Sequence, residues 1–174
     1  MAKQSKQPKT NAMRLLDKHH VAYTTFTYPE TVHSADEVAP LLGVAANQVF
    51  KTLVTLADNT RHLLIIVPGD REINLRLAAQ AVHAKHLQMA PQREAERLTG
   101  LKVGGISPLA LLDKQFEVYL DASGAQLEEL YINGGQRGIN LRLRVADLVA
   151  VTGATVIAAT NVPGAAIPSE TVES

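Results

Sequence analysis

The segment VFKTLVTLADNTRHLLIIVP, residues 49–68, decides the fold of this chain. Its two halves, VFKTLVTLA and RHLLIIVP, are rich in β-branched and large apolar residues, and the polar residues Asp58, Asn59 and Thr60 separate them. Two β-prone runs joined by a short polar loop are typical of a β-hairpin. Both alternating faces of the first run are apolar, which indicates a strand that is covered on both faces of its sheet.

Further strands and helices are predicted on either side of this hairpin. Strands are predicted for VAYTTFTY, FEVYLDA, ELYIN, INLRLRV and ATVIAA. Apolar residues at helical spacing predict helices over residues 11–20, 34–43, 75–82, 91–99 and 146–152. Ser34 and Glu37 have the spacing of a capping box, and Pro40 predicts that this helix is short or kinked. Strands in hairpin pairs with helices between them favour a mixed α/β fold, α+β-like, with a mixed and mostly antiparallel sheet.

Lys51 interrupts an otherwise apolar strand and is the first candidate functional residue. One interpretation is structural: its aliphatic stem lies along the core and its ammonium reaches water at the strand end. The other is functional: the ammonium projects into a pocket beside an anionic or ester-bearing ligand, where exclusion of water strengthens its electrostatic effect. The residue type alone leaves both interpretations open.

Two glycine-rich loops between strands are the second candidate feature. The first, VGGISP, contains Gly104 and Gly105, and the second, GGQRG, spans residues 134–138. Successive backbone N–H groups in such loops can bind a phosphate or an oxyanion, although glycine pairs between strands also form ordinary tight turns. Arg137 is either a phosphate contact or a solvated turn residue. We expect Lys51 to face both loops across a shared cleft.

Two other patterns are weaker indications of chemistry. Ser107 lacks the G-x-S-x-G context of a nucleophile elbow, so it is not predicted to attack a substrate. His83 and His86 have a spacing found in metal sites, but no further histidine or carboxylate beside them completes a ligand pattern. No metal site is therefore predicted.

Composition limits the classes of function. The 17 Lys and Arg residues balance 17 Asp and Glu residues, so the chain lacks the positive field that attracts nucleic acid to a whole protein surface. Cysteine is absent, which excludes disulfides and a cysteine nucleophile. No apolar run approaches the roughly 18 residues of a membrane span. We expect a cytoplasmic protein with no membrane or DNA partner, whose RNA contacts are local.

A chain of 174 residues is expected to form one compact domain. Residues 1–10 are basic and predict a flexible N-terminus, residues 11–159 carry the predicted elements, and residues 160–174 have the composition of a disordered tail.

Five segments in order resemble a known family. They are Tyr28, the helix start SADEV, QVFKTLV around Lys51, the loop KVGGISP and the loop NGGQRGINL. Their spacing resembles the YbaK family and the related editing domain of some bacterial prolyl-tRNA synthetases, over about residues 11–159. The resemblance implies the partly barrel-like sheet with surrounding helices of that family. It also implies aminoacyl-tRNA deacylation without a metal or other cofactor.

The resemblance also implies roles for individual residues. Lys51 would orient the terminal adenosine and the ester, the loop of Gly104 and Gly105 would form the pocket floor and present amides, and Tyr28 would line the pocket. Asn140 stands where family sequences often carry aspartate, so it keeps hydrogen bonding and loses a negative charge. The implied catalytic set is Lys51, Gly104 and Gly105, and the implied substrate-binding set is Tyr28, Ile106, Ser107, Gly134, Gly135, Arg137, Gly138 and Asn140.

The expected function is therefore trans-editing of mischarged Cys-tRNA(Pro), with Cys-tRNA(Cys) as a second substrate. Because the chain has no thiol of its own, either water or the substrate's thiol must attack the ester, and the YbaK branch implies the substrate's thiol. The expected partners are the 3′ end of aminoacyl-tRNA and, transiently, prolyl-tRNA synthetase. The alternatives are a deacylase that uses water on another small amino acid, such as alanine, and a non-catalytic module that binds a nucleotide or an RNA end.

Overall fold

The computed structural model describes residues 8–162 of the chain. Within them lie eight strands: β1 (Tyr23–Thr27), β2 (Val49–Ala57), β3 (Arg61–Pro68), β4 (Leu87–Met89), β5 (Glu117–Asp121), β6 (Glu129–Asn133), β7 (Ile139–Arg144) and β8 (Thr155–Ile157). The α-helices of this range are α1 (Asn11–Lys18), α2 (Ala35–Leu42), α3 (Leu75–Ala81), α4 (Gln92–Thr99), α5 (Ala122–Ala125) and α6 (Val145–Thr152), and short 3-10 helices span Ala46–Gln48 and Pro108–Ala110.

All eight strands belong to one mixed sheet in the order β1-β7-β6-β2-β3-β5-β8, with β4 paired to β2. The predicted hairpin is confirmed: β2 and β3 are antiparallel, with Leu53 opposite Ile65, and Asp58 and Asn59 adopt left-handed backbone conformations in the turn. β2 also pairs in parallel with β6, and β3 with β5, which pairs in parallel with β8. The mixed α/β class is confirmed.

The hairpin forms the centre of the core. Residues 63–67 of β3 are fully buried, because successive side chains point to opposite faces and both faces are covered. Leu63 and Ile65 pack with Ala78 of α3, whereas Leu64 packs with Ala95 of α4. Strand β2 is buried at both of its ends, but residues 51–53 in its middle are only half-buried. The sheet therefore has a gap in its covering beside Lys51.

Helix α2 differs from its prediction at its start. Ser34 occupies the N-cap position, but its side chain makes no capping hydrogen bond, so the predicted capping box is wrong. Its hydroxyl oxygen is instead buried without a protein partner. Pro40 lies inside the helix, which is eight residues long and ends at Gly43 in a left-handed conformation. The predicted short length is confirmed.

Two residues at the predicted domain boundaries belong to the folded part of the chain. Thr10, placed in the N-terminal segment by composition, is buried and accepts a hydrogen bond from the Met13 amide at 3.2 Å. Thr160, placed in the tail, is buried and its hydroxyl donates to the carboxylate of Asp121 at 3.0 Å, beside a β-bridge to Ile73. The other residues of the predicted flexible ends mostly lie outside the described range.

Candidate active site

A cavity of about 430 Å³ opens at the half-buried middle of β2. Its walls come from the first turn of α2, the loop that follows Leu101, the end of β4, and the facing ends of β6 and β7. The polar and charged side chains of its lining are those of Tyr28, His33, Ser34, Asp36, Lys51, Thr52, Gln92, Asn133 and Asn140. The cavity has the size expected of a site for a small ligand or the end of a larger one.

Lys51 lines this cavity, as the functional interpretation requires. Its side chain is 29% exposed, and its ammonium nitrogen lies 3.7 Å from a carboxylate oxygen of Glu72, whose side chain is 93% exposed. An ion pair with so exposed a partner contributes little to stability, because water screens it and the partner is free to move. The ammonium can therefore exchange Glu72 for a ligand in the cavity at small cost.

Tyr28 and Asn140 also line the cavity. The Tyr28 amide donates to the carbonyl of Gly138 at 2.9 Å, which continues the pairing of β1 with β7 and fixes the backbone of Tyr28. Burial raises the pKa of the Tyr28 phenol, and the amides of Asn140 and Asn133 partly offset this rise. Asn140 is only 3% exposed, and its side-chain oxygen has no protein partner.

Three polar side-chain atoms in the cavity wall are buried without a hydrogen-bond partner in the protein. They are the hydroxyl oxygens of Ser34 and Thr52 and the amide oxygen of Asn140. Leaving a buried polar group unpaired costs roughly 1–3 kcal/mol. Three such groups around one cavity indicate a surface built to form hydrogen bonds to a polar ligand.

The two glycine loops pack against each other. A Cβ on Gly105 would lie 2.9 Å from the amide nitrogen of Arg137, so only glycine permits this backbone contact. Asn133 joins the loops from within: its amide nitrogen donates to the Gly104 carbonyl at 2.7 Å, and its oxygen accepts from the Gly135 amide at 2.7 Å. The Arg137 Nε donates to the Val103 carbonyl at 2.8 Å. The loops therefore form one rigid wall.

The family model of the aminoacyl-tRNA editing domain matches residues 29–151, a range that contains the cavity's lysine, both glycine loops and both asparagines. The chain belongs to this family. An Enterococcus faecalis protein, EbsC, provisionally named as a Cys-tRNA(Pro)/Cys-tRNA(Cys) deacylase, is 35% identical over 154 residues, which cover 87% of this chain and 93% of that protein.

Two further relatives place the editing domain in its wider context. A proline–tRNA ligase of Caldicellulosiruptor saccharolyticus is 27% identical over 115 residues, which cover 66% of this chain and 19% of the ligase. The crystal structure of a protein provisionally described as a trans-editing enzyme for prolyl tRNA synthetase superimposes with a TM-score of 0.75 at 26% identity, and covers 91% of this chain and 100% of that chain. The predicted YbaK family is confirmed.

The structure brings together only part of the predicted site of this editing domain. Lys51, Tyr28, Gly104, Ile106 and Asn140 all line the cavity. We predicted that Lys51 faces both glycine loops across a shared cleft. That prediction is wrong, because only the first loop lines the cavity together with the lysine. The loop of residues 134–138 supports that loop from behind.

The remaining predicted residues lie behind this wall. A second cavity, of about 370 Å³, is lined by Gly105, Gly135 and Arg137 together with Lys102 and Glu30. The Gly105 amide donates to the Lys102 carbonyl at 2.8 Å, so that donor is already used within its own turn. The other three, Ser107, Gly134 and Gly138, are buried and line neither cavity.

Several lining residues of the editing domain were not predicted. Ser34 was interpreted as a helix cap, and Thr52 directly follows the lysine in β2. Asn133 ends β6 directly opposite Asn140 of β7. An asparagine at each facing end of two consecutive predicted strands is a sequence signal that could have identified this pair.

Residues 8–162 show neither a metal-binding cluster nor a membrane-spanning helix. No group of three histidine, cysteine, aspartate or glutamate side chains in this range is arranged to bind a metal ion. His83 and His86 lie beside α3 and β4, and His83 has a left-handed backbone conformation. No helix in the same range has the length and apolar character needed to cross a membrane.

Proposed function

We propose that this editing-family deacylase removes cysteine from mischarged Cys-tRNA(Pro), and that Lys51 is the central residue of its active site. The observation that carries the proposal is a cavity lined by Lys51 together with Ser34, Thr52 and Asn140, each of which has a buried side-chain oxygen without a hydrogen-bond partner in the protein. The similarity to EbsC over 93% of that protein supports cysteine as the amino acid.

Lys51 binds the polar end of the substrate and stabilises the negative charge that develops on the ester during cleavage. A positive charge held in a partly buried site stabilises a developing negative charge more than the same charge does in bulk water. Of the two glycines first considered as amide donors, Gly104 lines the cavity, whereas the Gly105 amide is already bonded to Lys102. The Gly104 region is therefore the candidate for contact with the ester carbonyl.

The proposed nucleophile is the thiol of the substrate's own cysteine, as the resemblance to the YbaK branch implies, and the chain has no thiol that could attack in its place. The sulfur attacks the ester carbonyl carbon, the carbon–sulfur bond forms, and the bond from that carbon to the ribose oxygen breaks. The thiol proton ends on the ribose oxygen, which restores the free 3′ end of the tRNA. Water then opens the cyclic thioester product to give free cysteine.

Lys51 is tested by Lys51→Ala and Lys51→Arg, with deacylation of Cys-tRNA(Pro) as the assay. Loss of one preorganised charge contact is expected to lower the rate on the order of 100-fold. Lys114→Ala is the matched control, because Lys114 is exposed and lines neither cavity of the site. A near wild-type rate for Lys51→Ala would rule out the proposed centre.

The choice of amino acid and nucleophile is tested with a panel of charged tRNAs. Preferential release of cysteine supports the proposal, release of alanine supports a water-dependent deacylase, and binding without turnover supports a non-catalytic RNA-end module. A tRNA esterified with S-methylcysteine has the same backbone without a free thiol. Its cleavage at the cysteine rate would show that water, not the substrate, is the nucleophile.

Recognition of the tRNA body is proposed to come from prolyl-tRNA synthetase in a transient complex. The chain has no net charge, and a 430 Å³ cavity holds only the end of a tRNA. The similarity to a segment of proline–tRNA ligase shows that domains of this kind occur in such enzymes. Adding the synthetase should increase discrimination between Cys-tRNA(Pro) and Cys-tRNA(Cys), and unchanged discrimination would contradict the partnership.

A further inference from the structure

Strand β2 is unpaired along the middle of one of its edges. On this edge its pairing with β6 ends at Phe50, opposite Ile132, and its pairing with β4 begins at Thr55, opposite Met89. Within residues 8–162, no strand pairs with residues 51–53 on this edge. We call this stretch the edge gap. It separates two strands that would otherwise follow each other along β2.

Thr52 is the residue whose backbone groups face the edge gap. Backbone N–H and C=O groups of strand residues two apart point to the same edge. The Val54 carbonyl points to the β4 edge, where it accepts from the Ala90 amide at 3.0 Å, whereas the Val49 carbonyl accepts from the Gly69 amide on the β3 side at 2.7 Å. The N–H and C=O of Thr52 therefore point to the same edge as those of Val54.

The cavity of the candidate active site lies at the edge gap. It is lined by Asn133 at the end of β6, by Met89 and Ala90 at the end of β4, and by Thr52 between them. The Asn133 side chain is hydrogen-bonded to the two glycine loops, so it does not pair with Thr52. The Thr52 hydroxyl oxygen is buried without a protein partner. Thr52 therefore presents an N–H, a C=O and a hydroxyl to a ligand in the cavity.

We propose that the aminoacyl group of the substrate occupies the edge gap and pairs with Thr52 as a strand residue would, an inference that rests on the proposed function. Two directly opposed residues of an antiparallel pair exchange both of their N–H···O=C hydrogen bonds. An amino acid esterified to tRNA has both groups that this exchange needs. Its α-amino group donates to the Thr52 carbonyl, and its ester carbonyl accepts from the Thr52 N–H. That N–H acts with the Gly104 region on the oxygen where negative charge develops.

This pairing also places the side chain of the amino acid. Side chains of directly opposed residues lie on the same face of a sheet, with Cβ atoms about 5 Å apart. The substrate's side chain therefore lies beside the Thr52 hydroxyl, which can form a hydrogen bond with a cysteine thiol but not with the methyl group of alanine. The backbone of Thr52 orients the ester, and its side chain favours cysteine over alanine.

The backbone role is tested by replacing the amide nitrogen of Thr52 with an ester oxygen in the full chain, which keeps the side chain. The rate of Cys-tRNA(Pro) deacylation should fall on the order of 100-fold, as for loss of one donor to an oxyanion. The same replacement at Thr25 is the matched control, because Thr25 is exposed and lies outside the cavity. Its N–H faces away from β7, since the Tyr28 amide three residues later faces the β7 side. Equal rates in the two variants would overturn the backbone role.

The substrate's share of the pairing is tested with tRNA(Pro) esterified to 3-mercaptopropionic acid, which has the thiol and lacks the α-amino group. After division by the spontaneous hydrolysis rate of each ester, kcat/KM should be on the order of 10-fold lower than for the cysteine ester. Equal corrected values would overturn the pairing.

The side-chain role is tested with Thr52→Val, which keeps the shape of the side chain and removes the hydroxyl. Thr52→Val should reduce the preference for Cys-tRNA(Pro) over Ala-tRNA(Pro), and Thr25→Val should leave that preference unchanged. An unchanged preference in Thr52→Val would overturn the side-chain role.

Binding separates the pairing from the proposed function. The ligand is an analogue of Cys-tRNA(Pro) in which an amide replaces the ester, and its Kd should rise in the Thr52 backbone variant but not in the Thr25 variant. If only the proposed function fails, the wild-type chain binds this analogue through the Thr52 N–H and does not cleave the cysteine ester. If only the pairing fails, the wild-type chain cleaves the ester, and the Thr52 replacement changes neither the Kd nor the rate.

Discussion

Gly138→Ala is the substitution for which the structure gives the most direct prediction. Gly138 has a φ of +82°, and a Cβ at this position would lie 2.7 Å from the backbone carbonyl oxygen of Tyr28. The left-handed conformation costs a residue with a side chain about 1–2 kcal/mol. The contact is shorter than any ordinary Cβ contact and is with backbone, so relieving it must move Tyr28, whose amide donates to the Gly138 carbonyl at 2.9 Å.

Overpacking of this kind typically costs about 1–3 kcal/mol, so Gly138→Ala should lower the free energy of unfolding by about 2–5 kcal/mol in total. Gly153→Ala is the matched control, because Gly153 has a φ of +68° with nothing within 4 Å of its Cβ position. The control should therefore lose only the conformational part. Each kcal/mol should lower Tm by about 2–4 °C in a chain of this length.

The assays are urea denaturation and deacylation kinetics on the same preparations. Because Tyr28 lines the cavity, Gly138→Ala should also lower kcat/KM, whereas Gly153→Ala should leave it unchanged. Equal destabilisation by the two substitutions would refute the close approach. Destabilisation without a change in kinetics would refute the role of the glycine in holding Tyr28.

Three further predictions concern stability. Asp121→Ala should lower the free energy of unfolding, measured in urea, by about 3 kcal/mol. The buried Asp121 carboxylate accepts hydrogen bonds from the Ala159 amide and three other groups, and the substitution removes all four. A loss below about 1 kcal/mol would contradict this. The Arg61 hydrogen bond lowers the pKa of Glu117 below its ordinary 4.5, so the pair's contribution is present above about pH 4.5 and is lost as the pH falls through the lowered value. Glu117→Gln should flatten the acid side of the stability curve by less than about 1 kcal/mol, since the pair is partly exposed. Burial raises the pKa of Tyr28 above its ordinary 10.0. The protonated phenol therefore contributes to the free energy of unfolding below pH 10, and this contribution is lost as the pH rises through the raised pKa. Tyr28→Phe should lose less free energy of unfolding at alkaline pH in the same urea assay.

Most strands and helices of the described range could be predicted from short segments. The hairpin of residues 49–68 was identified by two apolar runs and a polar turn, and the helix predicted over residues 75–82 corresponds to α3. The misassignment at Ser34 has a physical reason: a serine before a helix has the same local pattern whether its hydroxyl caps the helix or faces a cavity. The short elements β4 and α5 were not predicted, since three or four residues carry no readable period.

The candidate site was only partly predictable. The sequence by itself determined that Lys51 lies in a largely apolar strand and that glycine pairs occupy two of the loops between strands, because strand periodicity and glycine content are local properties. Only the tertiary structure decided that the second loop contacts the first loop and not the lysine. Pairings of β2 with β6 and of β1 with β7 join residues far apart in the chain, and packing among those strands places Asn140 beside Tyr28. Such distant contacts depend on how whole faces fit together, and no local pattern encodes that fit.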